Sequence, residues 1–218
     1  MTGRIDAVCV SGTDLPLVPN RKLKRTGIDK RPVSGRVAVR PLGLDGDVQV
    51  NRRYHGGEGQ AVYAYGQEDA DFWVTELDRE LPPGRFGENL RTSGVDLVGA
   101  LLGERWRVGT AVFEVTAWRI PCATFAGFWA IPDLVKRFAA HGATGAYLRV
   151  LEPGDVGAGD AVHVVFRPDH GITVAAGFRI ATTEQSRLPE LAPALQFLPV
   201  KDQPGVTRRI EKRLAAQT

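Results

Sequence analysis

The residue best placed to do chemistry in this chain is a cysteine that follows a predicted strand. Residues 112–115, Val-Phe-Glu-Val, are mostly apolar with two β-branched side chains and predict a strand, and Pro121, which has no N–H to donate, ends the extended segment just before Cys122. A small, soft side chain just past a strand end can face a cleft. The alternative is an inert core thiol, because cysteine is among the most buried residue types. On this segment alone, the core thiol is the simpler interpretation.

Three further segments carry groups that could bind a ligand. Residues 26–30, Thr-Gly-Ile-Asp-Lys, offer a hydroxyl, a flexible backbone and an ammonium group, as an anion site or an ordinary surface loop would. Arg53 and His55 precede two glycines, where the backbone can approach a ligand or form a plain hairpin turn. Residues 86–90, Phe-Gly-Glu-Asn-Leu, place an amide where it recognises a ligand or closes a turn.

Several common catalytic signatures are missing from the sequence. It has no G-x-G-x-x-G after a strand, no Walker A motif, no H-E-x-x-H and no G-x-S-x-G, so nothing predicts a nicotinamide, nucleotide, zincin or α/β-hydrolase site. A cysteine hydrolase would need a histidine beside Cys122. The four candidates, which qualify only if the fold brings one of them close, are His55, His141, His163 and His170. That hypothesis stays open.

The elements that must position these residues are short strands separated by glycine-rich turns. Alternating or apolar segments predict strands at 5–10, 37–40, 60–65, 105–108, 112–115, 146–151, 161–166 and 172–175. Helical spacing predicts helices over 67–80, 131–140 and 207–215. This pattern predicts a mainly β fold, a curved barrel with peripheral helices and a small α-helical C-terminal extension.

Length and composition are those of a soluble globular protein. The 218 residues, 43% hydrophobic and 24% charged, suffice for one main domain, which we assign to 1–168, with a partly helical extension over 169–218. No apolar run approaches a membrane span and the N-terminus lacks a signal-peptide pattern, so we expect a cytoplasmic protein. In a reducing compartment Cys9 and Cys122 would remain thiols.

The charge distribution says more than the net charge of +3. Six Lys and Arg residues fall within 21–31, and five more lie in the C-terminal region from Lys201 to Arg213. The first cluster has three competing interpretations: a solvated loop, a nucleic-acid patch, or a site for one compact anionic ligand. The second is most simply the polar face of a terminal helix.

Six segments, in this order, resemble the MOSC domain family (molybdenum cofactor sulfurase C-terminal domain) in its YiiM-like branch. They are KRTGIDKRPV (24–33), GLDGD (43–47), RYHGG (53–57), AVYAY (61–65), FGENL (86–90) and RIPC (119–122). Each segment alone is weak, but six in the right order are specific. The resemblance runs from near the start of the chain to about Asp160, and the tail after Asp169 resembles the helical extension of that branch.

The resemblance implies a β-barrel that binds the molybdenum cofactor, with Cys122 as the catalytic residue and the protein ligand of the metal. A thiolate is a soft ligand suited to molybdenum, so this interpretation now outweighs the core thiol. The implied donors to the phosphate and ring system of the pterin are Thr26, Lys30, Arg53 and Arg119, and the implied pterin-lining residues are His55, Gly87 and Asn89. One departure is Trp118, where the branch usually has proline; its ring would narrow the substrate entrance or stack against it.

The resemblance further implies an oxidoreductase that reduces N-hydroxylated compounds, such as hydroxylaminopurines, to amines. Since the sequence shows no flavin, nicotinamide or iron–sulfur motif, we expect electrons from a separate reductase. Two alternatives remain. A non-catalytic carrier would use Cys122 to hand on the cofactor or sulfur, and a nucleic-acid-binding module would rely on the basic loop, although it lacks an aromatic platform with interleaved basic residues.

Overall fold

The structure, a computed structural model, describes residues 3–12, 26–50 and 56–216. The strands along these residues are β1 (Gly3–Val10), β2 (Arg31–Pro32), β3 (Val37–Arg40), β4 (Gly43–Leu44), β5 (Val62–Gly66), β6 (Leu90–Ser93), β7 (Arg105–Val108), β8 (Ala111–Trp118), β9 (Ala146–Glu152), β10 (Gly154–Val156) and β11 (Ala161–Phe166). The α-helices are α1 (Gln67–Leu77), α2 (Ala123–Trp129), α3 (Leu134–His141), α4 (Val174–Thr182) and α5 (Gln203–Ala215), and 3₁₀ segments span Glu58–Gln60 and Gln185–Phe197.

Seven of the strands close into a barrel in the order β11-β7-β8-β9-β5-β6-β1. Closure comes from antiparallel pairing of β1 with β11, in which Gly3 lies opposite Val162. Within this ring β5 and β6 are parallel, and the other neighbours are antiparallel. Closure leaves no unpaired edge along the ring. The predicted mainly β fold, a curved β-barrel with peripheral helices, is confirmed, and the barrel is closed.

The barrel core is built from β-branched, aliphatic and aromatic side chains that alternate inward along each strand. Phe113, Val115 and Leu148 are fully buried there, with Trp106 almost so. β8 is buried at every position from Ala111 to Ala117, because helices cover its outer face. Helix α4 packs closely against the end of β8. A Cβ added at Gly177 of α4 would come within 2.2 Å of the Trp118 ring.

A second cluster, made of aromatic rings, packs α1, α2 and α3 against the barrel. The Tyr65 and Phe86 rings stack at 4.3 Å, and Phe125 lies 5.0 Å from Phe138. Trp129 packs 5.2 Å from Phe86. Offset and tilted ring pairs at these distances add to the stability that burial gives. The cluster therefore fixes α2 and the segment around Phe86, which both border the site described below.

The C-terminal residues pack onto the barrel through two sets of contacts. Val174, Ala194 and Leu198 belong to the barrel core cluster. A smaller cluster joins α4, the second 3₁₀ segment and α5 through Ile180, Leu188, Leu191 and Ile210. Across residues 3–12, 26–50 and 56–216, no helix is both long and apolar enough to cross a membrane.

The structure differs from the local predictions in several places. The strand at 172–175 is wrong: α4 begins at Val174, because the Thr173 hydroxyl caps it by accepting a hydrogen bond from the Ala176 N–H at 3.0 Å. Helix α2 was not predicted, since it spans only 7 residues and directly follows Pro121 and Cys122. Strand β6 was not predicted either, and it depends on long-range pairing with β1 and β5.

Candidate functional site

An open cavity lies where β8 ends and β9 begins. It encloses about 790 Å³ including its open mouth. Its walls come from the loop that carries Thr26 to Lys30, the segment after β4, the residues before β6 and the residues after β8. The side chains and backbone that line it belong to Thr26, Gly27, Ile28, Lys30, Asp47, Val48, Gln49, Val50, Gly56, Gln60, Ala61, Tyr63, Gly87, Asn89, Arg119, Cys122, Thr124 and Tyr147.

Six of the eight site residues predicted from the sequence line this cavity. They are Thr26, Lys30, Gly87, Asn89, Arg119 and Cys122. The other two, Arg53 and His55, lie outside the described residues. No histidine is among the described residues that line the cavity, so the structure offers the cysteine-hydrolase hypothesis no base beside Cys122 within that set.

Cys122 sits four residues past the end of β8, at the start of α2. Its backbone is extended, with φ −124° and ψ 178°, and its side chain is partly exposed to the cavity. The Arg119 guanidinium lies within electrostatic reach of the thiol. The thiolate is the form of cysteine that binds metals. Cys122 therefore combines access, a soft donor atom and a nearby positive charge.

Arg119 is buried, and its guanidinium is held by neutral partners. Its Nη1 donates to the Phe86 carbonyl at 2.5 Å, and its Cζ lies 4.9 Å from the Tyr63 ring and 5.0 Å from the Phe125 ring. Among the described residues no carboxylate forms an ion pair with it. Its polar partners, the Phe86 carbonyl and the Tyr63 hydroxyl, are uncharged, so the positive charge of Arg119 can still attract an anionic ligand.

Lys30, by contrast, forms a buried ion pair with Asp47. The Asp47 carboxylate also accepts hydrogen bonds from the Asn89 amide at 2.9 Å and from the Ser11 N–H at 3.0 Å. Burial alone would raise the pKa of Asp47, but Lys30 and these donors hold it below its usual value. Burial lowers the pKa of Lys30, against the pull of Asp47. An anionic ligand at Lys30 would thus meet a charge that is already balanced.

The Asn89 side chain joins three parts of the cavity wall. Its Oδ1 accepts from the Tyr63 N–H at 3.1 Å, while its Nδ2 donates to Asp47 and, at 3.2 Å, to the Cys9 carbonyl. Both hydrogens on Nδ2 are therefore used, and only Oδ1 has a lone pair to spare. In this arrangement Asn89 positions the Lys30–Asp47 pair.

Gly87 brings two loops into close contact at the cavity. Its φ of +80° is disfavoured for residues with a side chain, and an added Cβ would lie 2.9 Å from Cγ1 of Ile28. Glu88, next to it, accepts from the Gly84 and Phe86 N–H groups at 2.8 and 2.9 Å. The loop over 84–88 is thus held from inside, and Gly87 needs both its backbone freedom and its missing side chain.

We expect Gly87→Ala to destabilise the protein more than Gly142→Ala does. Gly142 has nearly the same φ, +81°, but nothing lies within 4 Å of its added Cβ. The two variants therefore share the backbone penalty of about 1–2 kcal/mol, and only Gly87→Ala adds the clash with Ile28. Urea unfolding would measure both free energies. Equal losses would show that Ile28 gives way at no cost.

Sequence reasoning overlooked several residues that the fold brings to the cavity. Tyr63 donates its hydroxyl to the Thr144 carbonyl at 2.7 Å, and its ring lies 5.2 Å from that of Tyr147. Burial raises the pKa of Tyr63, so the phenol is neutral. The strand alternation at 60–65 gives no sign of this role. Asp47 looked like a turn residue, because its partner Lys30 lies 17 positions away.

The fold and the cavity define a small closed β-barrel protein with one partly exposed thiol beside a buried guanidinium. The sequence profile of the MOSC domain matches residues 51–163, just over half of the 218-residue chain. The chain therefore belongs to the MOSC domain family, whose members are associated with the molybdenum cofactor. The resemblance seen in the sequence is confirmed.

Individual relatives and solved structures agree with this assignment. The chain is 36% identical over 155 residues to the uncharacterized protein YflK of Bacillus subtilis (strain 168), covering 71% of this chain and 70% of YflK. It is 29% identical over 181 residues to a protein named reductase from Gibberella moniliformis (strain M3125 / FGSC 7600), covering 81% of this chain but 32% of that protein. The crystal structure of YiiM from Geobacillus stearothermophilus superposes with a TM-score of 0.79 at 26% identity, covering 95% of this chain and 99% of that one.

Proposed function

We propose that this protein is a molybdenum-cofactor-dependent oxidoreductase that reduces N-hydroxylated compounds to amines. The observation that carries the proposal is the partly exposed Cys122 thiol in one cavity with the buried Arg119 guanidinium. Membership of the MOSC domain family supports a role with the cofactor. The relative named reductase supports redox chemistry, although this chain spans only 32% of that protein.

The donors in the cavity suit a ligand that carries a soft metal and an anionic group. Cys122 would bind the molybdenum through sulfur, and Arg119 would contact the phosphate or the ring system. Thr26 and Lys30 would add a hydroxyl and an ammonium from the opposite loop, with Asp47 holding the ammonium in place. Gly87 would let the backbone come close to the pterin, and Asn89 would act by positioning Asp47.

The overall reaction is R–NHOH + 2e⁻ + 2H⁺ → R–NH₂ + H₂O, in which the N–O bond breaks and nitrogen is reduced. When bound, the cofactor supplies the metal centre that accepts the oxygen and relays the two electrons. The protein's own residues bind the cofactor, orient the substrate and shield the buried side of the cavity from water. A separate reductase would supply the electrons, and Arg53 and His55 remain proposed cofactor contacts.

The test is substrate-dependent oxidation of the reduced, molybdenum-loaded protein. Protein produced in a cofactor-making host is reduced with a chemical donor and given benzamidoxime, a simple N-hydroxylated compound. We expect the protein to form benzamidine, which chromatography detects. Each molecule of benzamidine should consume two electrons. If fully loaded protein reduces neither benzamidoxime nor other N-hydroxylated compounds, the reductase proposal fails. The alternative, a non-catalytic carrier that uses Cys122, is then favoured.

A further inference from the structure

A second cleft lies beside the candidate cofactor cavity and shares two wall residues with it, Gln60 and Tyr147. It encloses about 1140 Å³ including its open side, and its walls come from the barrel on one side and the C-terminal residues on the other. The residues that line it are Gln60, Ala117, Trp118, Ile120, Tyr147, Ala181, Leu198, Pro199, Lys201, Asp202, Gly205, Val206 and Arg209. A molecule reaching from one space into the other would pass Gln60 and Tyr147.

The contact between barrel and tail that forms this cleft is specific. Lys201 Nζ donates to Gln60 Oε1 at 2.9 Å and to the Gly56 carbonyl at 3.4 Å. Pro199 lies against Gly59, where an added Cβ would be 2.7 Å from the proline Cβ. The segment that follows the two-glycine turn is therefore anchored to the tail. Three residues of this contact, Gln60, Pro199 and Lys201, line the cleft.

Its barrel side is aromatic and apolar. The Trp118 ring is held against Gly177 of α4 and is only partly exposed, and Tyr147 lies on the border with the first cavity. Ile120 is 52% exposed, high for an isoleucine. Two aromatic rings and an exposed aliphatic side chain around an open space suit a flat, partly apolar ligand.

The tail side of the cleft carries an excess of positive charge. Lys201 and Arg209 line it together with one acidic residue, Asp202. The Lys201 side chain donates to Gln60, but the Arg209 side chain forms no ion pair and no hydrogen bond among the described residues. An exposed guanidinium without a partner, facing an aromatic wall, suits a flat ligand with an anionic substituent.

We propose that the second cleft binds the part of the substrate remote from the N-hydroxyl group and selects flat aromatic substrates that carry an anionic group, which Arg209 binds. This inference rests on the proposed function, whose active cavity adjoins the cleft. It gives the C-terminal residues a role in substrate selection. It also gives Trp118 a defined place, on the wall of the substrate cleft and outside the lining of the cofactor cavity.

The test compares two matched probes, neutral benzamidoxime and its 4-carboxylate, on the cofactor-loaded protein. Calorimetry measures binding without turnover, and kcat/KM is measured with a chemical electron donor. We expect wild type to favour the carboxylate about 1.5- to fivefold in both measurements, the range expected for one exposed charge pair. Arg209→Gln should bring the ratio close to one. The control Arg208→Gln, which removes a charge from the same helix outside the cleft lining, should keep the preference.

Equal binding of the two probes to wild type would overturn the inference, as would an unchanged preference in Arg209→Gln. Loss of the preference in both arginine variants would also overturn the inference. That result would show that the carboxylate responds to the total positive charge of the helix and not to a specific contact with Arg209. Preferential binding without any turnover would support the cleft and count against the reductase proposal. The two proposals can therefore fail separately.

Discussion

Cys122→Ser is expected to remove molybdenum from protein produced in a host that makes the cofactor, while wild type keeps about one metal per chain. Serine preserves the size of the side chain but replaces a soft sulfur with a hard hydroxyl, which stays protonated at neutral pH and binds a soft metal poorly. The thiol is partly exposed on the cavity wall, so the exchange should leave the fold intact. We expect metal content by mass spectrometry and pterin content by fluorescence to fall at least about tenfold, the effect of losing one essential ligand.

The matched control is Cys9→Ala. Cys9 is fully buried in β1, and burial raises the pKa of its thiol to about 12, so it has neither the access nor the charge state of a metal ligand. This variant should keep its molybdenum. If both cysteine variants retain the metal, Cys122 is not the ligand. If wild type itself holds neither metal nor pterin, the oxidoreductase proposal loses its support and Cys122 becomes a sulfur carrier or an inert thiol.

Much of the barrel was predictable because its determinants are local. Alternation and β-branched residues identified the strands at 37–40, 105–108 and 161–166 with their observed bounds. The hairpin over Gly109 and Thr110 follows from turn chemistry. The failures were also local in origin: a threonine cap outweighed the β-branched run around Val174, and α2 is too short to show a helical period.

The site was predictable only in part, because its residues meet through long-range contacts. Arg119 and Cys122 lie close together in the sequence, but on that segment alone an inert core thiol is the simpler interpretation. The family resemblance is what predicts them as site residues. The pairing of Lys30 with Asp47 spans 17 positions, and that of Asn89 with Asp47 spans 42. No local pattern predicts which carboxylate meets which ammonium. The tail contact between Gln60 and Lys201, across 141 positions, was equally beyond sequence reasoning.

Glu88→Gln should lower the free energy of unfolding far more than the same substitution does at a more exposed glutamate. Glu88 and Arg91 form an ion pair in which both side chains are fully buried. One carboxylate oxygen accepts from Gly84 and from the Arg91 guanidinium, at 2.8 and 2.9 Å, and the other accepts from Phe86. A glutamine cannot satisfy both sides, because its NH₂ group would face an N–H donor in either orientation. Arg91 would also be left without a balancing charge.

Breaking such a pair from one side costs about 3–5 kcal/mol, which in a protein of this size lowers the melting temperature by roughly 6–20 °C. The control is Glu76→Gln, which removes a half-exposed ion pair with Arg137 and should cost less than about 1 kcal/mol. Thermal unfolding by circular dichroism would measure both variants. Similar small shifts would show that the 84–88 loop has other supports.

The same variant should weaken the site without touching its cavity. Glu88 holds the Phe86 N–H, and the Phe86 carbonyl in turn accepts the hydrogen bond from Arg119. Loosening this loop would therefore free the guanidinium that we expect to bind the anionic part of the cofactor. Molybdenum and pterin content of Glu88→Gln, measured below its lowered melting temperature, should fall while that of Glu76→Gln stays at the wild-type level. Full cofactor content in a destabilised Glu88→Gln protein would show that Arg119 is held well enough by the Tyr63 and Phe125 rings alone.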